Sequence, residues 1–326
     1  MNILRRRFLQ LAAASALVSL PRAASADDWP NHVVRLVVGF PPGGGADLAA
    51  RIVANRLSEI WGLQIIVENR PGAGARLALD TVAHAAPDGY TMLLAPGSPL
   101  VQALLFSTLT FDPATDFAPV SLVGTYPDII AVSNSSRFQK LEEFIAYAKA
   151  NPGKTSWASP GVGTVPFLAG ELFKRRAGIE MTHVPYRGMT EGLMSDLMEG
   201  RLDLMFNTTG SLLQPVRSKQ LRGLAVTTAQ RFPSEPELPT VAESGVPGYD
   251  VSSWYGLYVP AKTPADIIKK MNADIVAMLR EPAVKDKYEP LGILAQGSTP
   301  DQLAAKNAAD AALWGPIIKE ANIKVE

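Results

Sequence analysis

The sequence predicts an α/β protein with largely parallel sheets, and three observations carry that reading. Short apolar or alternating runs give way repeatedly to stretches of helical periodicity, the pattern of strand–helix units laid side by side in a sheet. Three glycine-rich loops each follow a strand and open a helix: "PPGGGAD" (41–47), "RPGAGAR" (70–76) and "SPGVGTV" (159–165). The 300 residues left of 326 once an export leader is removed are enough for two such domains.

The leader comes first. Arg5, Arg6 and Arg7 precede a short apolar core, Leu11 to Leu20, and Ala24-Ser25-Ala26 gives small-x-small before a cleavage after Ala26. That core is too short to span a bilayer. "RRRFLQ" resembles a twin-arginine signal, but Leu4 stands where Ser or Thr is usual; twin-arginine and general secretory export both stay open. His32 to Val38 then reads as a strand, Leu48 to Trp61 as an amphipathic helix, 63–70 as a strand, Leu77 to Ala86 as a helix and 90–96 as a strand. Further strands are expected at "DIIAVSN" (128–134), "TSWAS" (155–159), "MTHVPY" (181–186), "LDLMFN" (202–207) and "LRGLAVT" (221–227). Helices are expected between them at Leu141 to Ala150, Phe167 to Ala177 and Thr190 to Glu199. The proline-rich stretch 231–250 suits a connection or hinge. Trp254, Tyr255 and Tyr258 alternate with smaller residues as in a sheet core, and the tail from Pro264 is helix-rich, interrupted by a strand-like "ILAQGS" (293–298).

Composition excludes several function classes. The leader carries four of the 31 basic residues and no acidic one, which leaves 27 against 31; nothing points to nucleic acid or to an anionic membrane surface. With no cysteine there is no disulfide, thiol nucleophile, thiolate metal site or lipid anchor.

In a parallel sheet the loops after strands all emerge at the carboxyl edge, where ligands of open α/β sheets bind. Glycines let backbone N–H groups come close, and each following helix adds unpaired N–H groups and a partial positive charge. Such loops suit an anion; a tight turn without ligand is the plain alternative. A nucleotide fits poorly. Glycines at 43, 44 and 45 leave Ala46 and Leu48 where GxGxxG needs glycine, and Ala148 stands where a P-loop would need its first glycine before Gly153-Lys154-Thr155. His32, His84 and His183 have no metal-ligand spacing, no serine sits in a GxSxG elbow, and His183 beside Tyr186 reads either as a packed core histidine or as a ligand contact. No catalytic set, metal or cofactor is expected.

The ordered motifs "FPPGGGAD", "VENRPGAGA", "APDGYTMLLA", "FAPVSLVG", "ANPGK", "LAGELFKRRAG", "HVPYRG", "DLMFN", "LPTVAESGVPGY" and "WYGLYVPAKTP" resemble the Bug-type extracytoplasmic solute receptors, the substrate-binding proteins of tripartite tricarboxylate transporters. The resemblance covers residues 29–326. It implies a two-domain periplasmic-binding-protein (Venus flytrap, type II-like) fold, with residues 27–125 and 250–326 in one domain and 126–249 in the other. It also implies a monomeric periplasmic receptor for a small carboxylate, delivering to membrane transporter subunits or signalling to a sensor kinase. An exported α/β enzyme on an anionic substrate is the remaining rival. Carried over by position, Phe40 walls the ligand, Gly43, Gly44, Gly45 and Ala46 present the first loop's N–H groups, and Asp47 shapes the helix start. Ala73, Gly74, Ala75 and Arg76 form the second loop, Ser159, Gly163, Thr164, Val165 and Phe167 the third, with Tyr186 and Asn207 beside it. Arg76 stands where the family has Asn; it either pairs with a second ligand carboxylate or sits solvated. Val165, Pro166 and Phe167 replace a polar run, and Asn207 replaces Asp. These departures imply an apolar or aromatic mono- or dicarboxylate.

Overall fold

The computed structural model describes residues 29–106, 108–186 and 191–324; the leader expected at 1–26 lies outside the described residues. The strands are β1 (Val34–Val38), β2 (Ile65–Asn69), β3 (Thr91–Pro96), β4 (Phe117–Ser133), β5 (Thr155–Ser159), β6 (Met181–Pro185), β7 (Leu204–Thr208), β8 (Leu221–Val226) and β9 (Ser252–Pro260). The helices are α1 (Gly45–Trp61), α2 (Arg76–Ala83), α3 (Pro99–Ala103), α4 (Leu141–Ala150), α5 (Val165–Ala177), α6 (Glu191–Met198), α7 (Thr209–Arg217), α8 (Ala265–Met278), α9 (Pro282–Tyr288) and α10 (Pro300–Glu320). Among the described residues no helix is long and apolar enough to cross a membrane.

The strands follow the order β2-β1-β3-β9-β4-β7-β5-β6, with β8 also on β4. Each flank is parallel, β1 with β2 and β3, β5 with β6 and β7. The middle is not. β9 runs antiparallel to β3 and β4, and β4 antiparallel to β7 and β8, so the expectation of largely parallel sheets holds for the flanks alone. The reason is β4 itself. Its 17 residues pair with β9 from Phe117 to Pro127 and with β7 and β8 from Asp128 onward, so one strand serves both sheets.

Among the described residues four apolar clusters form, two on either side of this crossing. Leu36, Val53, Leu57, Leu94, Leu257 and Met271 pack on the β1–β3 side, and Phe144, Trp157, Phe173 and Phe206 on the β5–β7 side. Each such side chain contributes roughly 1.5–3 kcal/mol on full burial. Helix α10 serves both flanks: Leu303 packs with Trp254 and Tyr258, while Trp314, Ile317 and Ile318 join the β5–β7 core.

Several element ends differ from the sequence expectation for local reasons. Helix α1 starts at Gly45 rather than Leu48 because Gly44, extended at φ −76°, already caps it. Helix α2 ends at Ala83, with His84 as C-cap and Pro87 shortly beyond. "ILAQGS" forms only a bridge between Leu294 and Thr125, because Ser298 turns onto β4, its Oγ accepting from Leu122 N–H at 3.0 Å. Gly153 ends the turn after α4 at φ +70°, as the helix-stop reading requires.

Candidate functional site

The first loop is organised from behind by one buried carboxylate. Asp47, 1% exposed, accepts from Gly43 N–H and Arg51 Nε at 2.9 Å each and from Asn69 Nδ2 at 3.0 Å. Burial alone would raise its pKa, but the hydrogen bonds from Arg51, Gly43 and Asn69 outweigh it and hold the carboxyl below its ordinary value. Asn69 Nδ2 also donates to the Phe40 carbonyl at 3.0 Å, fastening the loop at both ends to the end of β2. Gly43 sits at φ +81°, a left-handed conformation that glycine adopts without strain. Gly44 has no side chain to cap α1, so the helix start keeps its partial positive charge and its first N–H groups for another partner.

The second loop packs directly on the first. A Cβ on Gly39 would stand 2.5 Å from Ala75 Cβ, so only glycine lets β1 and the 73–75 turn approach this closely. Gly72, Gly74 and Ala75 all have positive φ, a tight coil that delivers the chain to α2. Arg76 turns toward Phe106 and Thr108: its Nη1 donates to the Thr108 carbonyl at 3.5 Å and its guanidinium lies 5.9 Å from the Phe106 ring centre.

The third loop spends its polar groups internally. Thr164 Oγ donates to Gly161 O at 2.7 Å and accepts from Phe167 N–H at 3.4 Å, capping α5. Ser159 and His183 share a 3.0 Å hydrogen bond. The His183 ring lies 4.5 Å from Trp157 and 4.8 Å from Phe167; burial first, and then Lys174, push its pKa down to about 4. A neutral, ring-packed imidazole of so low a pKa is a weak base, so the Ser159–His183 pair is a poor nucleophile–base pair. Phe167 is buried and stacked on Trp157; it stiffens the helix start from behind. Half-buried Val165 faces the other flank: its Cγ2 lies 3.5 Å from the place a Cβ on Gly97, after β3, would take. The Tyr186 carbonyl backs Gly161 while its hydroxyl donates to Asp196, and Asn207, buried at the end of β7, accepts from Thr208 N–H at 2.8 Å. Among the described residues no group of His, Cys, Asp and Glu could hold a metal ion.

The structure thus brings Phe40 and Gly43–Asp47 together with the second loop, and Ser159–Phe167 together with His183 and Tyr186. Sequence reasoning missed Asn69, Gly97 and Tyr255. Asn69 stands inside a motif read only for its glycines. Tyr255, whose hydroxyl lies 2.9 Å from the Cβ position of Gly45, comes from a strand distant in sequence.

The chain is similar to known proteins over most of its length. Residues 49–323 match the family model described as "Tripartite tricarboxylate transporter family receptor". A Pseudomonas sp. (strain P51) protein, described as UPF0065 protein in tcbD-tcbE intergenic region, is 38% identical over 98% of this chain and 95% of its own length. Among solved structures, R. palustris Rpa4515 with adipate superposes with a TM-score of 0.83 at 34% identity, covering 91% of this chain and 99% of that one. The periplasmic binding protein BugD superposes with a TM-score of 0.79 at 31% identity, covering 91% and 99%.

Proposed function

We propose that this chain, which belongs to the family of tripartite tricarboxylate transporter receptors, is a periplasmic receptor that captures a small carboxylate and hands it to membrane transporter subunits. The start of α1 carries the reading. Its nearest acidic group, Asp47, is turned back into the loop and held by Arg51 and Asn69, while the helix start itself has no side-chain cap. Backbone donors at a positive helix end hold a carboxylate without a fixed cation. Charge-assisted hydrogen bonds are worth roughly 1.5–3 kcal/mol each and association costs several kcal/mol. Four or five such contacts with apolar burial reach about −8 kcal/mol, a micromolar Kd.

The ligand's body is apolar or aromatic. Half-buried Phe40 and Val165 offer hydrocarbon contact, the third loop's hydroxyl is committed to its own helix, and the relative holding adipate binds a dicarboxylate with a plain hydrocarbon chain. Residues 27–125 with 250–326, and residues 126–249, act as two bodies that close on the ligand about the crossing strands, with α10 packing its start on the first body and its end on the second. A thermal-shift screen of the mature chain against adipate, glutarate, benzoate, terephthalate and citrate tests the reading, because a ligand of the folded state raises Tm. A rise with the apolar carboxylates, accompanied by compaction in solution scattering, is expected. No response to any carboxylate, or conversion of one to product, overturns it.

Arg76 is committed to Thr108 and Phe106 and does not form a carboxylate fork. Arg76→Ala therefore changes glutarate and terephthalate affinity by less than about threefold in calorimetry, as for a weak, half-exposed contact. A tenfold loss confined to dicarboxylates would restore the fork.

A further inference from the structure

We propose that the Tyr255 hydroxyl is a side-chain donor of the ligand site, completing with the Gly45 and Ala46 N–H groups a cation-free cradle for one carboxylate; this rests on the receptor reading above. The position is fixed by an unusual neighbour. The Tyr255 hydroxyl is 2.9 Å from where a Cβ on Gly45 would sit, and among the described residues it is the one atom within 4 Å of that point apart from α1's own backbone and the chain neighbours of Gly45. Cα–Cβ bonds of a helix tilt toward its N-terminus. The hydroxyl therefore stands beside the first residue of α1, at the end of the helix where its unpaired N–H groups lie. Glycine at 45 follows directly, since any side chain there would take the hydroxyl's place.

Tyr255 is held for that role. It is 4% exposed, its ring packs 4.8 Å from that of Tyr126, and the two hydroxyls share a hydrogen bond. A phenol carries one donor and acceptor capacity besides. When Tyr126 donates, the Tyr255 proton is free for an anion, and such a chain polarises in the direction that strengthens the outer bond. Burial pushes the Tyr255 pKa up to about 12, which keeps the proton in place near neutrality.

Calorimetry with glutarate and terephthalate on wild type, Tyr255→Phe and Tyr126→Phe tests the assignment. Tyr255→Phe weakens binding about ten- to a hundredfold, the range for a hydrogen bond to a charged group. It also narrows the preference for terephthalate over its uncharged diamide. Tyr126→Phe removes the same inter-tyrosine bond but leaves a hydroxyl at Gly45, so its loss is smaller and the preference stays. Wild-type affinity in Tyr255→Phe, or equal losses in both variants, overturns the proposal. A wild type that binds none of these carboxylates overturns the receptor reading instead, and this assignment with it.

Discussion

Gly45→Val abolishes the ligand-induced rise in Tm while the far-ultraviolet circular dichroism stays that of the wild type. The substitution acts at one point. Gly45 lies outside the left-handed region, so valine meets no backbone penalty there, and only the Tyr255 hydroxyl stands in its way at 2.9 Å. The new side chain occupies the space in front of α1's first N–H groups and displaces that hydroxyl. Losing two charge-assisted hydrogen bonds at roughly 1.5–3 kcal/mol each weakens carboxylate binding at least about a hundredfold, from micromolar to about 100 µM or weaker, which leaves no readable thermal shift at tens of micromolar ligand. The neighbouring glycines supply the contrast. Gly44 has φ −76° and its added Cβ meets only the Pro41 carbonyl at an ordinary 3.5 Å, so Gly44→Ala keeps most of the affinity. Gly43, at φ +81° with open space around it, loses about 1 kcal/mol or more to backbone strain on Gly43→Ala. Full binding by Gly45→Val, measured by calorimetry, would remove α1 from the site.

How far the sequence displays this architecture depends on how local each cause is. "TSWAS" and Leu141 to Ala150 become β5 and α4 to the residue, because alternation and helical spacing are decided by the residues themselves. Strand β4 was visible only in its second half. Pro119, Gly124 and Pro127 in its course look like breakers, and the strand tolerates them because its pairing shifts register at two places along β9. The antiparallel middle was hidden for the same reason: which strand crosses between sheets is a long-range choice. In the site, the glycines announced where backbone approaches closely, and Asp47 announced the helix start. Two outcomes were not legible. Thr164 spends its hydroxyl on capping α5, and Tyr255 arrives beneath Gly45 from a strand about 200 residues away. For Arg76 the sequence leaves two directions open, and the contacts with the Thr108 carbonyl and the Phe106 ring favour the one away from a carboxylate fork.

Asp128→Asn raises stability at pH 8 by about 2–4 kcal/mol and at pH 4.5 by only about 1 kcal/mol or less. Asp128 sits where β4 passes from one sheet to the other, 0% exposed. Its carboxyl accepts from Ser253 Oγ of β9 at 3.2 and 3.3 Å. The titratable groups facing it are the hydroxyls of Tyr126 on its own strand, Tyr255 on β9 and Tyr249 in the connection before it, none of which supplies positive charge. Burial pushes its pKa up to about 7, against a partial offset from Ser253. The sign follows from proton counting. Between the unfolded carboxylate value, about 3.9, and about 7 the folded state holds a proton that the unfolded chain has released, so stability falls as pH rises through that window and levels off above it. At about 1.4 kcal/mol per pH unit the fall approaches ~4 kcal/mol. Asparagine keeps the acceptor for Ser253 but has no charge to desolvate, so that slope disappears. Asp47, whose pKa is lowered, loses its contribution only on acidification, below the range compared, and the wild-type-minus-variant difference cancels it and every other titrating group. Denaturant melts of both proteins at half-unit steps from pH 4.5 to 8 give that difference directly. A gap that stays flat with pH would mean that Asp128 is ionised throughout, with the crossing strands stabilising a buried charge by contacts other than Ser253.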